Sequence, residues 1–226
     1  MSNSIKKRDI IVPFKKNIMI MGFQKWLDRE IDIITRRGYI PKLFLHSCCA
    51  PCSTYVIEYL SQYFSITVFF YNPNIHPEEE YRRRINDQKK LIELLPVENK
   101  VSFIEGKYEP KIFFEKVKGL ENEPEGGKRC LKCFNVRLEK TAKKAQELKI
   151  PYFTTTLTIS PHKNAVAINQ IGNEIANKYH LHYLFSDFKK RDGFKRSIIL
   201  SKQFGLYRQN YCGCVFSKIQ NEELKR

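Results

Sequence analysis

From residue 41 onward, short runs rich in β-branched and aromatic residues alternate with longer stretches whose apolar residues recur every three or four positions. The short runs, residues 42–46, 66–71, 101–105, 152–156 and 183–186, predict strands. The longer ones, 53–62, 77–95, 131–148, 164–179 and 194–204, predict helices. In the fourth helix, Val166, Ile168, Ile171, Ile175 and Ala176 make one apolar stripe. Parallel strands need a crossover helix between them, so this alternation predicts an α/β fold: a doubly wound, mostly parallel sheet of about five strands. Residues 1–38 read as a basic N-terminal extension with an amphipathic helix over 23–36, its apolar positions being Trp26, Leu27, Ile31, Ile33 and Ile34. Residues 39–226 then form a single α/β catalytic domain ending in a cysteine-bearing C-terminal segment. The stretch 121–127 is a polar loop, and no internal repeat or low-complexity tract is visible.

Composition adds a partner class. With 42% hydrophobic and 13% aromatic residues, 226 residues can build a core, so disorder is not expected. The formal charge of +16 favours polyanionic partners: tRNA, rRNA, DNA or an anionic membrane surface. A lysine-rich background composition gives the same excess, so charge alone does not choose. The apolar run over residues 65–71 falls far short of the roughly 20 residues a membrane-spanning helix needs, and no apolar signal core follows Met1 to Arg8. A cytoplasmic protein is therefore expected.

That compartment sharpens the reading of the cysteines. All seven fall into three groups: Cys48-Cys49-Ala50-Pro51-Cys52, Cys130-Leu131-Lys132-Cys133 and Cys212-Gly213-Cys214. A reducing cytoplasm disfavours a structural disulfide framework, and an odd count agrees, which leaves metal ligation or cycling redox pairs. Cys48 and Cys49 follow the first predicted strand directly, in the turn where open parallel sheets bind ligands. Cys130 and Cys133 sit at a helix start, three residues apart on one face, where the helix dipole favours the thiolate. Two thiolates from each place make a four-sulfur site. Zinc and an iron–sulfur cluster both accept four thiolates; adjacent cysteines reach one tetrahedral zinc awkwardly, which favours the cluster. In Cys212-Gly213-Cys214 the glycine permits the distortion that a very small disulfide ring requires, and a strained bridge is easily reduced. A cycling dithiol is the favoured reading there; further metal ligation and inert thiols stay open. Cys52 is left over, to cap the site, hold a second metal or simply begin a helix.

Several segments occur together in a specific order: His46-Ser47-Cys48-Cys49-Ala50-Pro51-Cys52-Ser53, Phe70-Tyr71-Asn72-Pro73-Asn74-Ile75-His76-Pro77, Arg129-Cys130-Leu131-Lys132-Cys133-Phe134 with Arg137-Leu138, and Tyr211-Cys212-Gly213-Cys214. In these, roughly residues 40–217 resemble the cobalamin-independent epoxyqueuosine reductases. The resemblance implies an oxidoreductase that converts epoxyqueuosine to queuosine at the wobble position of the tRNAs for Asp, Asn, His and Tyr, the last step of queuosine biosynthesis. It further implies 4Fe-4S cluster ligands at Cys48, Cys49, Cys130 and Cys133, a redox-active disulfide between Cys212 and Cys214, and a fold like that of the adenine-nucleotide α-hydrolases. No cobalamin is expected. The phosphate-loop sequence Ser-Gly-Gly-x-Asp-Ser of ATP-using relatives is absent, so no ATP use is expected either. An additional iron beside the cluster, with Cys52 as a possible ligand, and an unidentified electron donor complete the implied chemistry.

Opening an epoxide to an alkene and water also needs protons. Tyr71, His76, Glu78, Glu80, Tyr81 and Asp187 lie near predicted strand ends or the turns after them, and each has an ordinary alternative role in packing or in a helix's first turn. For the RNA, Tyr81-Arg82-Arg83-Arg84, Phe188-Lys189-Lys190-Arg191 and Phe194-Lys195-Arg196 interleave aromatic and basic residues, with Lys189, Lys190 and Arg191 the favoured backbone contacts. Lys163, just before a predicted helix, is a further candidate for a phosphate or the substrate's ribose. Two competing functions have the same cysteines: a tRNA sulfur-transfer protein carrying persulfide, and a zinc-bearing RNA-binding module.

Overall fold

A computed structural model describes residues 21–223. The basic stretch expected before residue 21 lies outside these residues. The strands are β1 (Lys42–His46), β2 (Ser65–Phe70), β3 (Val101–Glu105), β4 (Tyr152–Thr155) and β5 (His182–Tyr183). They form one all-parallel sheet in the order β3-β2-β1-β4-β5. The eight described helices are α1 (Phe23–Arg36), α2 (Ala50–Leu60), α3 (Glu78–Leu94), α4 (Pro110–Val117), α5 (Lys128–Glu147), α6 (Ala165–Tyr179), α7 (Gly193–Gln203) and α8 (Val215–Glu223). The doubly wound α/β expectation holds.

Two apolar cores cover the two faces of the sheet, as strand alternation requires. Leu43 and Leu45 of β1 point to one face, where they meet Val56, Ile57 and Leu60 of α2. Phe44 points to the other, against Leu138 and Ala142 of α5 and Ile168 of α6. Helix α1 belongs to this packing: Leu27, Ile31 and Ile34 are buried in the first core and Phe23 in the second. Gly172 on α6 lets the helix close on the sheet, since a Cβ there would lie 2.3 Å from the Tyr183 ring.

The chain winds from β1 outward to β2 and β3, then returns to add β4 on the other side of β1. The winding therefore reverses between β1 and β4, and the crevice beyond their carboxyl ends is where such sheets bind ligands. Its floor is built by Ser47 and Cys48 after β1 and by a 3-10 turn, Thr156–Ile159, after β4. That turn is the reason β4 stops one residue short of expectation: Thr155 Oγ1 accepts from the Leu157 N–H at 3.1 Å and redirects the chain.

Candidate metal centre and substrate cleft

Helix α2 starts immediately after Cys49, with Pro51 in its first turn, where proline costs no hydrogen bond. Cys52 thus lies one turn from Cys48 and Cys49, and the three sulfurs are all within 4.8 Å of one another, close enough to hold a metal. Cys48 and Cys49 are 3.9 Å apart. The Cys48 N–H donates to Thr156 Oγ1 at 3.1 Å, and that hydroxyl donates to Cys48 Sγ at 3.3 Å, so the turn is clamped across the switch point. Hydrogen bonds from the Cys49 and Cys52 thiols hold Cys48 well below the usual thiol range, helped by Lys163 and Arg137 and opposed by burial. Cys49 is pushed up to about 12 by its bond to Cys48. Below them His46 is fully buried and neutral, its pKa lowered to about 3 by burial and by Arg137. It donates from Nε2 to the Tyr71 carbonyl at 3.2 Å and accepts at Nδ1 from Thr155 Oγ1 at 2.8 Å.

The other four cysteines meet at a second place. Helix α5 begins at Lys128, earlier than expected, which puts Cys130 in its first turn and Cys133 one turn on. The Gly126 N–H donates to Cys130 Sγ at 3.2 Å. Cys130, Cys133, Cys212 and Cys214 line one small cavity together with Glu125, Arg129 and Ser217. Burial pushes Cys133 up to about 11 and Cys214 up to about 12. Gly213 is required between the last two cysteines: its φ is +110°, and a Cβ would lie 2.8 Å from Arg84 Nη1 and 3.0 Å from Ile75 Cγ1. Its carbonyl accepts from the His76 N–H at 3.0 Å. The Ser217 N–H donates to Cys214 Sγ at 3.4 Å, while Ser217 Oγ accepts from the Cys212 N–H and donates to Glu125. All seven cysteines are free thiols.

Cys212 connects the two places. With Cys48, Cys49 and Cys52 it lines an open cleft of about 570 Å³, whose walls also carry Arg84, Arg137, His162, Lys163 and Tyr211. A second cleft of about 720 Å³ is lined by Phe23, Lys25, Lys163, Lys189, Lys190 and Arg191, among others. Lys163 belongs to both walls. Burial lowers the pKa of Lys163, but Cys212, Cys48 and Cys52 outweigh it and keep the ammonium charged. In the second cleft, Lys189 is paired with Asp187 and Arg191 forks onto Asp28.

Comparison with known proteins settles the lineage. A family model described as epoxyqueuosine reductase QueH matches residues 43–220, a span that includes all seven cysteines. This chain belongs to that family. Relatives named epoxyqueuosine reductase QueH include that of Streptococcus pyogenes, 48% identical over 223 residues covering 97% of this chain and 87% of the relative. The one from Staphylococcus epidermidis is 47% identical over 206 residues, covering 88% and 86%. The one from Thermotoga maritima is 36% identical over 187 residues, covering 80% and 92%. Among the described residues, no helix is long and apolar enough to cross a membrane.

Within this family frame, the proton donors expected from sequence lie elsewhere: none of the six lines the cysteine cleft. Tyr71 packs in the core with Lys140 Nζ 5.2 Å from its ring centroid, and Tyr81 donates to the Gly106 carbonyl at 3.0 Å. Glu78 pairs with Arg82, Glu80 with Arg84 and Asp187 with Lys189, while His76 is exposed with its ring against Phe114. His162, Tyr211 and Glu125 are the titratable groups on the cleft that sequence reasoning missed.

Sequence reasoning also did not place beside the cysteines the three largest fully buried side chains among the described residues, Arg84, Arg129 and Arg137, all of which border them. The Arg82–Arg84 run expected on RNA is split. Arg82 pairs with Glu78 and Glu105, Arg83 lies 3.4 Å over the Tyr207 ring, and Arg84 turns inward to Glu80 and the Cys212 carbonyl. Arg129 is spent on the carbonyls of Glu121 and Glu123 and on the Phe216 ring. Arg84 Nη2, Arg129 Nε and Nη2, and Arg137 Nε are buried without a hydrogen-bond partner. Buried cations of this kind require compensating negative charge. For Arg137, which has no carboxylate partner, metal-bound thiolates would supply it, so the residues present fit an anionic metal–sulfur group.

Proposed function

We propose that this protein reduces epoxyqueuosine to queuosine at the wobble position of the tRNAs for Asp, Asn, His and Tyr, in the cytoplasm. The observation that carries this reading is the convergence of all seven cysteines on two cavities that share Cys212. Cys48, Cys49, Cys130 and Cys133 would hold a 4Fe-4S cluster, with Cys52 available to an additional iron. Bound there, the cluster supplies one-electron transfer and a Lewis-acidic iron.

The chain's own residues account for the stoichiometry. Two C–O bonds break and a C=C bond forms, which takes two electrons and two protons and releases water. Cys212 and Cys214 supply both as they go from dithiol to disulfide: two S–H bonds break, one S–S bond forms, and an unidentified cellular electron donor restores the thiols. Cys212 lines both the open cleft and the inner cavity and Cys214 lines the inner cavity, so the pair adjoins the substrate cleft and both groups of metal-bearing sulfurs. The Lys163 ammonium stands at the cleft wall, where it can stabilise the departing oxygen.

The tRNA must present an unstacked nucleoside to this cleft, with its backbone on a basic surface. The second cleft provides that surface: Lys163, Lys189, Lys190 and Arg191 line it, and Lys190 leads because it has no ion pair among the described residues.

Protein purified without oxygen is expected to be brown, to contain iron and sulfide, and with dithionite to convert epoxyqueuosine-containing tRNA to a nucleoside one oxygen lighter by mass spectrometry. Colourless zinc protein that leaves the nucleoside unchanged overturns the reading in favour of an RNA-binding module.

A further inference from the structure

Arg137 stands four residues after Cys133 on α5, the spacing that places two side chains on one helix face. It is 2% exposed. Nη1 donates to Cys133 Sγ at 3.8 Å, and Nη2 donates to Asn72 Oδ1 at 2.6 Å. The Asn72 amide in turn donates from Nδ2 to the Ser47 carbonyl at 2.9 Å. Ser47 immediately precedes Cys48, so one guanidinium and one amide run from the cysteine pair on α5 to the turn carrying Cys48 and Cys49.

The other two buried arginines show what a structural guanidinium looks like in this fold. Arg84 is paired with a carboxylate, and Arg129 is occupied by backbone carbonyls and an aromatic ring. Arg137 has neither. Its charge is stabilised by Cys133, Cys48 and Cys212, and its Nε has no partner. The bidentate fork of arginine is suited to holding two acceptors in fixed geometry, which a lysine cannot do.

We propose that Arg137 is a positioning residue for the metal centre: through Asn72 it fixes the two cysteine-bearing segments in one frame, and its charge stabilises their metal-bound sulfurs. This rests on the reading of Cys48, Cys49 and Cys133 as ligands. Groups that orient metal ligands from behind are worth about 10- to 100-fold in metal affinity.

The test uses the full chain, reconstituted with iron and sulfide, and three variants, Arg137→Met, Arg137→Lys and Asn72→Ala. Chelator competition followed by the visible absorbance should show Arg137→Met losing metal about 10- to 100-fold more readily than wild type. Arg137→Lys should keep part of the affinity and Asn72→Ala should lose less than Arg137→Met. A reductive titration should place the Arg137→Met centre at a more negative potential, because a positive charge that favours the reduced form is gone. Thermal melts of the metal-free proteins separate this role from packing, since Arg137→Met should melt no lower than wild type without metal and clearly lower with it. Equal chelator resistance and equal potential in wild type and Arg137→Met would overturn the inference, as would equal loss of stability with and without metal. Should Arg137→Met fail to fold, Asn72→Ala decides: wild-type affinity and potential in that variant overturn the proposed bridge. A wild-type chain that takes up no metal, or a Cys49→Ser chain that keeps it, refutes the ligand reading itself.

Discussion

Basic side chains line two adjoining clefts, and each set is balanced by a different kind of anion. In the second cleft the cations are exposed or half-buried and answered by carboxylates, Asp187 for Lys189 and Asp28 for Arg191. Around the cysteines three arginines, Arg84, Arg129 and Arg137, are buried, and of these only Arg84 has a carboxylate. A solvated pair can exchange its carboxylate for a phosphate at little cost, because exposed ion pairs contribute little in water. A buried guanidinium cannot be left to water, so its anion must be part of the site. The first arrangement suits a polyanion that comes and goes; the second suits sulfur ligands that stay charged because a metal holds them. Lys163 alone faces both clefts, where the backbone and the reacting nucleoside of one tRNA would meet.

Removing the sulfur anions is the strongest way to break this contrast. Cys48→Ser or Cys49→Ser should reduce bound iron and sulfide, and with them turnover, to background; wild-type iron content in either would show that the buried cations answer to something else. Cys212→Ser with Cys214→Ser should leave metal content intact while abolishing multiple turnover, and full turnover in that variant refutes the dithiol role. Next comes the one buried arginine that does use a carboxylate. Arg84→Met strands Glu80, 12% exposed, beside the Cys212 segment, and breaking such a pair costs about 3–5 kcal/mol. Urea unfolding should register that loss, and Glu80→Gln added to Arg84→Met should recover part of it.

A smaller effect reports the electrostatics of the buried side directly. His46 is held neutral by burial and by Arg137, its pKa lowered from 6.5 to about 3. Above pH 6.5 it is neutral in both folded and unfolded chains and contributes no pH dependence. Below that, the unfolded chain takes up a proton that the folded one refuses, so stability falls with pH until the folded pKa is reached. Between pH 7 and 5 this amounts to about 2 kcal/mol. In metal-free protein, His46→Gln should flatten the wild-type decline by about that much; parallel curves would mean that His46 protonates in the fold.

What the sequence conveys differs between the two clefts for a physical reason. Strand and helix alternation is a local property, so the sheet and most of its helices could be read directly. Helix α4 is only eight residues long, and α8 follows Cys214 closely, so neither carries a long periodic pattern. Strand β5 pairs over only two residues because the chain leaves the sheet edge after Tyr183, although Leu184 and Phe185 continue the buried run. The helix over Phe23–Arg36 showed its period, but burial of Leu27, Ile31 and Ile34 depends on their joining a core shared with β1, β2 and α2. Grouped cysteines are equally local and were legible. The inward turn of Arg84 is not: in the run Arg82-Arg83-Arg84 every arginine follows a glutamate by four residues, and only the packing of the helix on the cysteine cleft separates Arg84, buried and paired with Glu80, from exposed Arg82, paired with Glu78.

The smallest expected effect tests the carboxylate-balanced side. If Lys190 meets a phosphate without first giving up an ion pair, Lys190→Ala should lower the slope of log affinity against log salt by about one. Lys189 differs, since Asp187 already holds it. Replacing both members together, Asp187→Asn with Lys189→Met, leaves the net charge of the cleft unchanged and should leave the slope unchanged as well. Filter binding of tRNA between low and physiological salt measures both. A double variant that loses as much slope as Lys190→Ala would mean that Lys189 abandons Asp187 for the RNA; the carboxylates would then be place-holders rather than permanent partners, and exposed and buried cations would differ only in which anion occupies them before the tRNA arrives.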